Sequence, residues 1–93
     1  NMQKRPVNKL IKILEKQRDS IYDITDEFSN VRFQTEDYIF ERSETWPESK
    51  NGSAFVDRFE DFIDLEDEFQ ELIQQLEYDL NHIIDSLEQL NER

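Results

Sequence analysis

Glu44-Thr45-Trp46-Pro47-Glu48-Ser49-Lys50-Asn51-Gly52-Ser53 (ETWPESKNGS) lies at the midpoint of a 93-residue chain and holds its only Trp, its only Gly and one of its two Pro. Its reading decides the fold. Pro47 disfavours helical backbone at Trp46, so a helix arriving from the N-terminal side is expected to end near Thr45. Asn51-Gly52 supplies turn conformations, and Ser53 is placed to cap a following helix. The stretch therefore predicts a hinge over 46–52, with Trp46 closing the end of a hydrophobic seam near Phe55 and Phe59.

Outward from this hinge there is no breaker. Val7 to Thr45 contains neither Gly nor Pro, and nor does the chain after Ser53. With Val7 at heptad position a, the a positions read Val7, Leu14, Ile21, Phe28, Thr35 and Arg42. The d positions read Leu10, Gln17, Ile24, Val31, Tyr38 and Thr45. Spacings of three and four put both series on one helical face. Pro6 fits a first helical turn, where its missing N–H costs nothing. Ser29-Asn30 is the weakest link and a candidate break. In the second half, apolar residues recur every three or four positions from Phe55 and Phe59 through Leu65, Leu72, Leu76 and Ile83 to Leu90. That is the period of a coiled coil or bundle, and Ile73 and Ile84 widen the stripe toward bundle packing.

The expected architecture is all-α: an antiparallel hairpin of long helices over about 6–45 and 53–91, in a single domain spanning 1–93. Residues 1–5 are read as a tag remnant and flexible start, because Asn1 precedes Met2. On that reading the chain is a whole small protein of the cytoplasm. A thin core follows from the length. Phe33 and Phe40 fall at f positions, off the main seam, with Ile39 beside them. An aromatic pair on an outer face asks for a cover. A second copy completing a four-helix bundle would provide it, as would a helix 1 folded back at Ser29. The first is favoured, and Phe33, Ile39, Phe40 and Trp46 are the expected partner interface.

Composition narrows the function. With no Cys, disulfides and thiolate metal sites are excluded. No apolar run approaches a membrane span. The net charge of −12 disfavours direct binding to nucleic acid. The charge is segregated: residues 1–18 carry six basic side chains against Glu15, while residues 54–92 carry thirteen acidic ones against Arg58. Antiparallel pairing would set the basic start beside Glu77, Asp79, Asp85, Glu88 and Glu92. Lys9, Lys12 and Lys16 form a short basic stripe that reads as contact with the acidic helix or with solvent.

Candidate chemistry is sparse. A single Gly rules out a Gly-rich phosphate loop, and the single His, His82, has no evident nucleophile partner. The block Glu60–Glu71 (EDFIDLEDEFQE) aligns carboxylates such as Asp61, Asp64 and Glu68 on one face, a set that could hold Mg²⁺ or Ca²⁺ but reads first as a solvated helix face. Asp79-x-x-His82 has the spacing of one di-iron ligand element, where a bundle needs two. Glu41-x-x-Glu44 with Asp61-x-x-Asp64 is similar in spacing to the acidic helix pairs of MazG- and dUTPase-type nucleotide pyrophosphohydrolases, which would imply Mg²⁺-dependent hydrolysis. The chain is also similar in outline to the WXG-type helical hairpins, although Pro47-Glu48 follows Trp46 where that motif has its Gly. Catalytic, cofactor and metal residues are accordingly read as none. The expected function is a small acidic interaction module or regulator, homodimeric and with a further protein partner, not an enzyme. The alternatives are a DNA-mimic inhibitor of a nucleic-acid-binding protein and the Mg²⁺-dependent hydrolase.

Overall fold

A computed structural model describes residues 3–93. The reading of Asn1-Met2 as a tag remnant lies outside the described residues. Two α-helices, α1 (Lys4–Phe40) and α2 (Lys50–Asn91), pack against each other as an antiparallel hairpin, with no strand among the described residues. No helix of the described residues is long and apolar enough to cross a membrane. Lys4 and Arg5, expected in a flexible start, already belong to α1. α1 runs unbroken through Ser29-Asn30, so the folded-back three-helix arrangement does not form.

The hinge is longer and better built than expected. α1 ends at Phe40, five residues before Thr45. Its last turn tightens through Glu41 N–H to Asp37 C=O at 3.0 Å and Arg42 N–H to Ile39 C=O at 3.1 Å. A short 3₁₀ helix follows at Trp46–Glu48, in which Pro47 needs no N–H partner. α2 begins at Lys50, so its N-cap is Ser49 and not Ser53. Ser49 is extended (φ −70°, ψ 161°), and its Oγ accepts the Gly52 N–H at 3.0 Å while donating to the Trp46 carbonyl at 2.6 Å. This is the N-cap geometry. Gly52 is therefore helical and not a turn residue. It has no positive φ. Its role is close approach: a Cβ there would overlap the Trp46 carbonyl oxygen and sit 2.7 Å from the carbonyl carbon.

The chain forms two compact units. One combines the residues up to Ile24 with Glu71–Arg93, and the other is Thr25–Gln70. In the first, the terminal unit, Val7, Ile11 and Ile84 are buried, with Leu14 and Leu87 packed against them. Asn91 Nδ2 donates to Asn8 Oδ1 at 2.6 Å, and Arg18 Nη1 donates to Asn81 Oδ1 at 2.8 Å. Ten residues up α1 match ten down α2, which fixes an antiparallel register within the unit. Tyr22 and Glu77 continue it, four residues further along each helix. In the second, the central unit, Phe28 stacks on Phe62 with ring centroids 5.6 Å apart and tilts against Phe69 at 4.7 Å. Glu66 lies between those two rings on α2, 4% exposed, with Arg32 Nε 2.9 Å from its Oε1.

The buried edge differs from the expected one on both helices. On α1, contact runs through positions a and e (Val7, Ile11, Leu14, Arg18, Ile21), while the expected d residues Leu10 and Ile24 stay exposed. In the terminal unit α2 shows the same offset: Ile73 and Ile84 are buried, and Leu72, Leu76, Ile83 and Leu90 are exposed. The central unit exposes Val31, Tyr38 and Leu65 in the same way. The reason is geometric. Each apolar stripe is wider than the face one neighbouring helix can cover, so one edge of it remains in water.

The expected charge pairing across the hairpin is not realised as ion pairs. Among the described residues the two salt bridges are Arg18–Asp19 at 3.7 Å and Arg32–Glu66. Lys9, Lys12 and Lys16 are exposed on α1, and the cross-helix polar contacts of the terminal unit run instead through Asn8–Asn91, Arg18–Asn81 and Tyr22–Glu77. Solvated lysines gain little from such pairing, so nothing draws them across.

Tyr22 offers a check on this register. Its hydroxyl is held above the usual tyrosine value, first by the hydrogen bond it shares with the Glu77 carboxylate, then by partial desolvation and the nearby negative charges of Glu77 and Asp19, with Arg18 acting the other way. A raised folded value means that the contact stabilises below about pH 10 and that this is lost as pH rises through the folded pKa. Glu77→Gln should bring the Tyr22 transition back toward 10, followed by the tyrosinate absorbance or by NMR of the ring. An unchanged transition would break the assignment of Glu77 as its partner.

Candidate interaction surface

The four residues expected at a partner interface all lie in the central unit, and they divide into two kinds. Phe40 is the last residue of α1 and is 91% exposed. Phe33, two turns earlier on the same side, is 55% exposed, with the Arg32 guanidinium 4.9 Å from its ring centroid. Ile39 and Trp46 are half-buried. Trp46 meets Tyr38 edge-on at 6.0 Å and Phe55 at 5.6 Å, and Tyr38 and Phe55 are 4.9 Å apart. The expected contact between Trp46 and Phe55 is therefore present. Arg42 lies 3.9 Å over the Tyr38 ring, placing a cation just past the negative end of α1. This aromatic cluster closes the hinge. Its members work first as packing, whereas Phe33 and Phe40 have no comparable internal role.

A shallow hollow of about 220 Å³ lies beside the cluster, lined by Val31, Thr35, Phe55, Arg58, Phe59 and Phe62. Arg58, the charged member of the lining, is exposed. The hollow is apolar and open, and it follows from the uncovered edge of the α1 stripe.

The acidic block faces solvent: Glu60, Asp61, Asp64, Asp67, Glu68 and Glu71 are all exposed, and Glu66 alone turns inward. Glu41 and Glu44 fall in the turn after α1, so they do not share a helical face as a hydrolase-type acidic pair would. Asp79 accepts a hydrogen bond from Gln75 Nε2 at 3.1 Å, and His82 is exposed. Among the described residues no group of three or more His, Asp or Glu side chains could hold a metal ion.

Sequence reasoning passed over one residue with unusual surroundings. Glu66 Oε2 is buried without a hydrogen-bond partner, and Arg32 Nε approaches Oε1 out of line for a hydrogen bond. The signal was present. Phe62, Glu66 and Phe69 are spaced four and three, which puts a carboxylate on the apolar face itself.

No known protein family, curated protein or solved structure matches this chain.

Proposed function

We propose that this chain is a small acidic interaction module of the cytoplasm that works by self-association and contact with a further protein, and not by catalysis. One observation carries this reading: too much apolar surface is left in water. Among the described residues four apolar side chains are buried, while fourteen large ones are exposed. Exposed apolar surface on this scale is the mark of an interface. Phe33 and Phe40, with Ile39 and Trp46 beside them, remain one proposed contact patch. Sedimentation of the wild-type chain at micromolar concentration should return twice the 11.4 kDa chain mass. A monomer at every accessible concentration would sink the self-association reading.

A second reading, a DNA mimic, draws support from the exposed carboxylates of Glu60–Glu71. Such a protein would bind a basic partner with an affinity that falls steeply with salt, whereas an apolar interface is nearly indifferent to it.

A further inference from the structure

We infer that a second copy of this chain docks on one face of the terminal unit, the face carrying Leu10, Ile13 and Ile24 from α1 and Leu76, Ile83 and Leu90 from α2. This rests on the self-association reading above and assigns its surface. All six side chains are between 37% and 49% exposed.

They share a face for a geometric reason. Leu10 and Ile13 precede the inward-facing Ile11 and Leu14 by one residue, with Ile24 two heptads on from Leu10, and Ile83 and Leu90 precede Ile84 and Asn91 by one. Viewed along α1 from its N-terminus, successive residues advance clockwise; on the antiparallel α2 they advance counterclockwise. A residue one step before the seam therefore swings to the same side on both helices. The two stripes are edges of one surface and not opposite sides of the unit.

Charge selects the occupant. On α1 the polar residues interleaved with this stripe are Gln17 and Ser20, and on α2 Asp79 is the one charge between Leu72 and Leu90 on that side. The other flank carries Lys12, Glu15 and Asp19 on α1 and Asp85, Glu88 and Glu92 on α2. In a chain of net charge −12, two identical copies repel wherever carboxylates meet. This face is where they can meet without opposing them. Its period suits the same partner. Leu10, Gln17 and Ile24, like Leu76, Ile83 and Leu90, repeat every seven residues, so a second hairpin offers a stripe of equal length and period.

The test compares two faces of the full chain by sedimentation, with helicity followed by circular dichroism. Leu76→Ser with Ile83→Ser should raise the dimer dissociation constant at least about a hundredfold, because two central apolar anchors are lost. Phe33→Ser with Phe40→Ser should leave the dimer mass unchanged. Should the first variant lose helicity, Gln17→Glu with Ser20→Glu keeps every apolar side chain and adds carboxylates to the same face; it should also yield monomer. A dimer that survives both terminal-unit variants but dissociates with the Phe33 and Phe40 changes overturns this assignment and leaves the self-association reading standing. A monomeric wild-type chain overturns both.

Discussion

Gly52→Ala should lower the thermal midpoint by roughly 10 °C, a loss of about 2 kcal/mol for a domain of this size. The sign is the point of the experiment. Inside a helix, Ala ordinarily stabilises relative to Gly by roughly 0.5–1 kcal/mol, because the unfolded Gly chain has more freedom to lose. Gly52 sits in the first turn of α2 with ordinary helical backbone, so propensity alone forecasts a gain. Packing forecasts the reverse. The new methyl would overlap the Trp46 carbonyl oxygen, 2.7 Å from its carbon and 2.9 Å from Ser49 Oγ. Two of these neighbours are backbone, and Trp46 is pinned by Tyr38 and Phe55, so the strain cannot escape into a flexible side chain. Forcing an extra methyl into a filled site costs about 1–3 kcal/mol. Relief would require the 3₁₀ turn to move off α2, which removes the Ser49 cap as well. Ser53→Ala serves as the comparison: Ser53 is exposed and past the cap, so the midpoint should barely change. A stabilised Gly52→Ala protein would show that the hinge does not hold Trp46 against α2.

Much of this was legible in the sequence because it is set locally. Pro47 marks the one interruption between two long periodic runs, and that dictates a hairpin. The exposure of Phe33 and Phe40 also follows from their f positions. Two other features are not local. Ser49 and Ser53 are equally good caps by type, and the choice falls to Ser49 because the chain after Pro47 places its Oγ under the Gly52 N–H. The buried edge was misjudged for a similar reason. Leu10 and Ile11, or Ile83 and Ile84, are interchangeable in hydrophobicity. Which member turns inward depends on how two helices pack, and the a and e positions win with amide and ion-pair contacts at Arg18 and Arg32. A stripe too wide for one partner was visible in the sequence; which half would stay wet was not.

Arg32→Met should destabilise the fold by about 3 kcal/mol, whereas Arg32→Met with Glu66→Leu should return stability to the wild-type level or above it. The asymmetry comes from desolvation. Glu66 is 4% exposed, and its Oε2 has no hydrogen-bond partner, so the carboxylate relies on Arg32 for compensation. Met fills similar volume but leaves that charge alone beside Phe62 and Phe69. The cost is set at the low end of the range for buried pairs, since the Arg32 side chain is itself 31% exposed and water screens part of the attraction. Removing both partners lets Leu pack against the Phe28 cluster, and the apolar gain replaces a pair that is not even aligned as a hydrogen bond. What the pair contributes instead is register. Sliding the helices by one heptad would set Arg32 across from Phe59 or Ile73 and strand both charges in apolar layers. An apolar double variant has no such penalty, because heptads of Leu, Ile and Phe repack at every slip. It should therefore be more stable to denaturant yet show more than one set of amide resonances. A double variant as unstable as Arg32→Met would mean that the pair contributes net stability. A stable double variant with a single set of resonances would place the register in the Asn8–Asn91 and Arg18–Asn81 contacts.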